Sequence, residues 1–537
     1  MAEAGADPRD VRLGAIATVF GSLAGLCVGL WMQPELPPLL EGWGARAAAQ
    51  GALADAGLQD LAGPLAGAAF LLATVLPTVA ALRVARGATT GAPHAAAAAR
   101  WVLGAAALAA LLQLAAPPRW SSDAFLYAYY GKIQAVHGEN PYRLPGKAFA
   151  RTCALPELPH RPATPGRPCR DDAHCPPPSR CLVDPFVPYQ AWLEVRAAYG
   201  PVALGIFRSL YVEALPPEAN VFLLRLLAAL AWLGATAWAL RRGGLAAGVL
   251  VGWLPVGVVA AGNGGHLEPL ACLAMLAAWW PIGRRIAATP AALAIGVAAG
   301  LLAGLKLPLL VLAAPAGVWL LRRHGRGPTA LAAALAVALP ALGYALLWTD
   351  PHPFGGLADV GDTSIRTPLD LLRRAAQATG GSGDLEVARP ALLVLGVVIG
   401  LAALRGLWRA LQPGDDNAGD DDAGDGDLAV VAAATTTAAL AWMAFGSGIF
   451  HPWYALPALV AAAFALSAPS ARGAVRATLW LAASAPLWVN GAWLALGPTA
   501  FAAPWVALPT ILLFAPALAL WATDLRRSAA DDVRTPG

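Results

Sequence analysis

The chain has 537 residues, 58% of them hydrophobic and 13% charged, and 37 basic against 33 acidic side chains leave a formal net charge of +4. An ordinary soluble domain carries roughly 25% charged residues, and the mean hydropathy here is +0.57. That composition excludes a soluble globular enzyme. Its arginines are spread between apolar runs and form no basic stripe, which excludes a nucleic-acid partner. The expected fold class is an all-α integral membrane protein, a polytopic helical bundle solvated by membrane lipid.

Apolar runs long enough to cross a hydrocarbon core recur at 13–32, 61–82, 101–116, 221–240, 245–261, 267–280, 287–303, 305–321, 330–348, 390–411, 428–445, 453–466, 477–494 and 504–521. They predict about 12 to 14 transmembrane helices. The first run is longer than a signal-peptide core and follows acidic as well as basic residues, so it reads as a retained anchor; the Ala-rich stretch 45–54 lies too far from it to be its cleavage site. Arg9 and Arg12, Arg83 and Arg86, Arg241 and Arg242, Arg284 and Arg285, Arg322, Arg323 and Arg326, Arg405 and Arg409, Arg472 and Arg476, and Arg526 and Arg527 all fall on one side of this threading. The alternate connections 262–266, 446–452 and 497–503 contain no Lys or Arg. Positive charge resists translocation, so both termini are expected in the cytoplasm of a cell whose plasma (inner) membrane the chain crosses many times.

Five regions follow: helices in 1–116, an outer loop at 117–220, central helices in 221–349, a second outer loop at 350–389 and C-terminal helices in 390–537. Loops this long in a compact protein are usually functional. The short apolar stretch 202–215 carries Arg208, and counting it as a span would invert every later loop, so it is expected as an interfacial or re-entrant outer helix. The acidic stretch 412–427 lacks the glutamate that closes an EF-hand and reads as a solvated cytoplasmic linker.

Cys153, Cys169, Cys175 and Cys181 lie together in the first outer loop among Pro, Arg and Asp. An even number of cysteines in a translocated loop predicts two disulfides, with three pairings open. A zinc site with His160 or His174 is the rival, but the spacing is not C-x-x-C. Cys27 and Cys272 fall within apolar runs, as small core residues.

Just after the third run, a short amphipathic helix is expected from about Asp123, with Ser121, Ser122 or Asp123 at its N-terminus, Gly138 to stop it and Asn140-Pro141 to turn the chain. Asp123, Tyr127, Tyr130 and Gln134 share one face at helical spacing, aligning an acid with aromatic and polar groups that could hold a sugar. Asp123 could equally be a plain helix cap, and the tyrosines an interfacial belt.

The pattern D-x-x-x-Y-x-x-x-G from Asp123 to Gly131, followed by G-E-N-P-Y ending at Tyr142, resembles the first-loop motif of GT-C superfamily glycosyltransferases that take sugar from a polyprenyl phosphate, notably the bacterial α-mannosyltransferase branch. Further pieces follow in the family's order between about Trp120 and Tyr454. Tyr199-Gly200-Pro201 is similar to its Y-x-P segment, Gly265-His266-Leu267-Glu268 to its G-H-x-D-like loop, Lys306-Leu307-Pro308 to its K-x-P element, and Pro452-Trp453-Tyr454, preceded by His451, to its P-W-Y segment. Glu268 stands where the family often has Asp, and the four-cysteine insertion is outside the general pattern. The resemblance implies Asp123 as the catalytic residue, inversion at the anomeric carbon, and donor or acceptor roles for Tyr127, Tyr130, Tyr142, His266, Glu268, Lys306, His451 and Tyr454.

A polyprenyl-phosphate sugar is already activated. Transfer then needs a carboxylate to take the proton of an attacking hydroxyl and cations to hold the departing phosphate, with no cofactor required and a divalent metal left open. Lys306 is the first candidate cation, followed by Lys132, Arg366, Arg373 and Arg374. The implied partners are a polyprenyl-phosphate sugar donor, mannose foremost, and a glycan or glycolipid acceptor at the outer, periplasmic face. Taken alone, His266 and Glu268 could be a helix-start pair, His451 and Trp453 interfacial anchors, and Lys306 a snorkelling cation. The rival functions are a transporter or lipid flippase, a scaffold that binds a partner through its disulfide loop, and hydrolysis of a sugar phosphate.

Overall fold

The computed structural model describes residues 7–31, 62–88, 95–118, 121–155, 158–162, 169–187, 192–284, 286–347, 354–356, 359, 366–379, 387–411, 423–447, 449–468, 471–490 and 507–534. Trp120, stretch 45–54, most of the acidic stretch and connection 497–503 lie outside the described residues.

Helices α1 (Pro8–Trp31), α2 (Ala62–Gly87) and α3 (Ala95–Ala115) pack together at the N-terminal side, followed by α4 (Asp123–Ala135). Strands β1 (Arg151–Leu155), β2 (Leu158–Pro162) and β3 (Arg180–Val183) come next, then α5 (Pro201–Leu210) and α6 (Pro217–Arg242). The central helices are α7 (Gly244–Trp253), α8 (Pro255–Gly262), α9 (Glu268–Trp279), α10 (Ala288–Leu305), α11 (Ala314–His324) and α12 (Arg326–Leu346). The remaining ones are α13 (Pro368–Ala378), α14 (Ala388–Ala410), α15 (Ala423–Ala441), α16 (Ala455–Phe464), α17 (Arg472–Ala485) and α18 (Ala507–Arg534).

Among the described residues eight helices are long and apolar enough to cross a membrane, or nine if α7 and α8, which meet at a 52° bend, form one span. The bend falls at Leu254-Pro255, where proline removes a helical donor and disfavours α geometry in the residue before it. Several of the fourteen sequence runs are shorter or broken: α9 has 12 residues, and run 305–321 divides into a 3₁₀ segment (Leu307–Leu312) and α11.

Between apolar helices in lipid, small residues do the packing, because they let backbones approach. Gly296 and Gly300 of α10 face α12 in this way: a Cβ on Gly296 would sit 2.8 Å from Ala332 Cα, and one on Gly300 3.0 Å from Leu339 Cβ. The innermost helix is α16, buried along its whole length. By contrast α12 and α14 bury only 17% and 11% of their apolar windows, and Val337, Leu342, Val394 and Leu401 stay outward. Exposed apolar surface of this extent is the mark of a membrane-facing or interface-forming face.

The first long loop is more structured than its Pro- and Arg-rich sequence suggests. It holds a three-stranded antiparallel sheet in the order β2-β1-β3, with Cys153 opposite Cys181. The pairing left open by the sequence is Cys153–Cys175 and Cys169–Cys181. Helix α4 also differs from expectation. It is not amphipathic at a surface: every residue from Ala124 to Ile133 is buried, because α5 and α6 cover one side and the loop module the other.

Candidate functional site

Asp123 is placed by hydrogen bonds that close the end of α3 onto two neighbours. Arg225 of α6 donates to the carbonyls of Gln113 (2.5 Å), Ala116 (2.6 Å) and Gly262 (2.9 Å), and Asn263 donates to Pro117 O at 2.8 Å. The segment leading into α4 is thereby held beside the turn after α8. In that turn Gly265 has φ +61°, which L side chains rarely adopt, and a Cβ there would lie 2.9 Å from Arg225 Cγ and 3.3 Å from Ala124 Cβ. Ser121 Oγ accepts the backbone N–H of Asp123 at 3.0 Å. The first helical residue is therefore Asp123 itself, and its side chain points onward instead of capping.

Eight polar or aromatic residues from separate parts of the chain meet around it. His266 Nδ1 lies 3.6 Å from Asp123 Oδ2. Lys306 Nζ lies 3.5 Å from Glu268 Oε1 and 3.1 Å from the Tyr454 hydroxyl, and stands over the Tyr454 ring at 4.3 Å and the Tyr199 ring at 5.6 Å. The rings of His266, Trp453 and His451 stack in that order, with centroids 3.6 Å and 4.4 Å apart. Tyr127 lies one turn after Asp123 on α4, and its ring meets that of Tyr199 edge to face with centroids 5.0 Å apart. These residues come from the starts of α4, α5 and α9, the end of α10 and the segment before α16. The apolar runs thus deliver their polar ends to one place.

Burial sets the electrostatics. It lifts the Asp123 carboxyl from 3.8 to about 6, against the pull of Lys306 and with the help of Glu268. Burial, then the charges of His451 and Lys306, hold the His266 imidazole well below the usual histidine range. A neutral His266 makes no ion pair with Asp123, and 3.6 Å is too long for a hydrogen bond. His266 Nδ1 and Glu268 Oε2 are both buried with no hydrogen-bond partner among the described residues. Such atoms cost about 1–3 kcal/mol each unless something polar reaches them, so the pocket is chemically incomplete as it stands. The arrangement offers a carboxylate able to take a proton near neutral pH, an ammonium 18% exposed and able to meet an anion, and two unused polar atoms between them.

A cleft of about 210 Å³ lies next to this cluster. It is lined by apolar residues of α11, α14 and α15, including Leu393, Val397, Leu401 and Ala438, and ends at Trp442, whose ring is 6.0 Å from that of Tyr454.

Compared with protein-family models, curated proteins and solved structures, the chain matches none.

Other sequence candidates sit away from the cluster or are already engaged. Tyr130 and Tyr142 are buried in packing: Tyr130 donates to Val195 O at 3.3 Å, Tyr142 to Tyr199 O at 2.7 Å, and the Tyr142 ring lies against Tyr344. They build the wall behind Tyr127 and offer no open face for a sugar to stack on. Lys132 is sealed in an ion pair with Asp184 and is no phosphate ligand. Arg373 and Arg374 both pair with Asp370, while Arg366, buried nearby, is close enough to His451 to depress its basicity. Cys153, Cys169 and Cys175 cluster within 4.8 Å, as a metal site would, but all three are in disulfides and offer no thiolate to zinc.

Two participants were missed in the sequence. Tyr199 enters the sequence reading only through the Y-x-P segment, with no role of its own, and Arg225 looks like a stray charge in an apolar run. An arginine inside a span is itself a signal, because such a charge persists only where partners are provided.

Proposed function

We propose that this protein is a GT-C type glycosyltransferase that moves a sugar, mannose in the first instance, from a polyprenyl phosphate to an acceptor hydroxyl at the outer face of a bacterial plasma membrane. The observation that carries the proposal is the convergence on Asp123, whose carboxyl is raised to about 6, of Lys306 and of two buried polar atoms with no partner, His266 Nδ1 and Glu268 Oε2. The order of the motifs along the chain and the apolar cleft that ends at Trp442, the neighbour of Tyr454, support the same reading.

In this mechanism the acceptor oxygen attacks the anomeric carbon as the bond to the phosphate oxygen breaks. Asp123 takes the hydroxyl proton, and Lys306 faces the charge growing on the phosphate. His266 and Glu268 complete their hydrogen bonding on sugar hydroxyls. The isoprenoid chain lies in the cleft between α11, α14 and α15.

The test is transfer from radiolabelled polyprenyl-phosphate mannose in membranes holding equal amounts of wild type or Asp123→Asn. Amide for carboxylate keeps the shape and removes the base, so a loss of about a hundredfold or more is expected. Equal activity of the two proteins would reduce Asp123 to a structural residue. Absence of transfer by wild type with mannose, glucose and arabinose donors, beside an active control enzyme, would turn the reading towards a lipid transporter.

A further inference from the structure

The two ends of α4 face opposite ways. Asp123 and Lys132 are nine residues apart, two and a half turns or about 13 Å along the helix, which puts them on opposite sides of it. While Asp123 looks into the pocket, Lys132 points into the loop module, and its ammonium meets Asp184 Oδ2 at 2.5 Å with both side chains wholly inaccessible. The other Asp184 oxygen accepts the Phe186 N–H at 3.0 Å, and the Asp184 N–H donates to Ala150 O at 2.9 Å. Asp184 is thus fixed at the root of β1 and β3. The Tyr129 hydroxyl also reaches the module, donating to Gly146 O at 3.1 Å.

What holds the module together is the pair of disulfides. Its separate buried cluster consists of Cys153, Cys169 and Cys175, with Cys181 packed against them. Cys153 and Cys181 are paired across β1 and β3, and each is bonded outward to the segment 169–175. A small unit whose own buried cluster, among the described residues, is made of cysteines depends on such cross-links. If the sheet loosens, Asp184 leaves, and a buried ammonium without its partner is strongly unfavourable.

From this we propose that Lys132 and Asp184 are positioning residues, a strut through which the disulfide-bonded module sets the pose of α4 and so of Asp123. The step from helix pose to catalysis rests on the reading of Asp123 as the base; the mechanical coupling does not. Neither residue touches substrate. The insertion then works as part of the catalytic scaffold.

The test uses the full chain in detergent or nanodiscs, with hydrogen exchange of 123–135 measured beside sugar transfer. Asp184→Asn and Cys169→Ala/Cys181→Ala are expected to speed exchange in α4 about tenfold or more while α6 and α16 keep theirs. Transfer is expected to fall at least tenfold in kcat with donor KM changed by less than about threefold. The paired replacement Lys132→Met/Asp184→Leu, which fills the site without charge, is expected to recover helix protection and most of the rate. Unchanged exchange in α4 for both Asp184→Asn and the cysteine variant would overturn the strut. So would faster exchange throughout the molecule that the paired replacement fails to correct, because the ion pair would then be a general prop. If wild type transfers no sugar, the proposed function fails, and the exchange result still decides the strut.

Discussion

Lys306 and Glu268 act on Asp123 in opposite directions, and the rate should report it. With its carboxyl near 6, Asp123 is about nine-tenths ionised at pH 7 and about one-tenth at pH 5, so kcat/KM should fall roughly tenfold as pH drops between them and level off above about 7. Lys306 favours the carboxylate and Glu268 disfavours it. Replacing Lys306 by Met should move the acid limb up by about one pH unit, equivalent to ~1.4 kcal/mol; Glu268→Gln should move it down by a comparable amount. The double replacement removes both influences and should bring the limb back towards the wild-type position. Lys306→Met should also lower the plateau by about 10²–10³, the usual loss when a group facing transition-state charge is removed. The assay is initial-rate transfer from pH 4.5 to 8.5 at constant ionic strength. Limbs that move the same way in the two single variants, or do not move, would refute the electrostatic account of this pocket.

Two predictions concern the frame around it. A Cβ on Gly131 would lie 2.9 Å from the Phe207 carbonyl carbon and 3.0 Å from Tyr211 Cβ, so Gly131→Ala should push α4 from α5 and cost about 1–3 kcal/mol, read as a lower Tm in detergent with reduced transfer. Arg225→Met removes the donor to three carbonyls and should destabilise by about 3 kcal/mol or more. An unchanged Tm would mean those carbonyls find other partners.

The apolar runs revealed the helices, since each must satisfy its own backbone in lipid and therefore shows as an uninterrupted stretch. Polar residues at the ends of those runs were also legible: Asp123, His266, Glu268, Lys306, His451 and Tyr454 all reach one pocket. What stayed hidden depends on distant pairing. Lys132 reads as a candidate phosphate cation in the sequence because its partner is 52 residues away in a segment without strand-like alternation. Tyr130 sits on the expected face of α4 and Tyr142 just beyond the turn that follows it, yet neither helical spacing nor a short motif says what packs over those rings. The bend at Pro255 could have been read from the proline alone.

The cleft beside Trp442 is walled by α11, α14 and α15, and α14 buries only 11% of its apolar window. A substrate using it arrives by diffusing in a plane. If the proposed polyprenyl-phosphate donor uses it, the quantity that saturates the protein is the mole fraction of donor among neighbouring lipids, and inert lipid added at fixed total donor should slow the proposed transfer as a competitor does, although it binds nothing in the pocket.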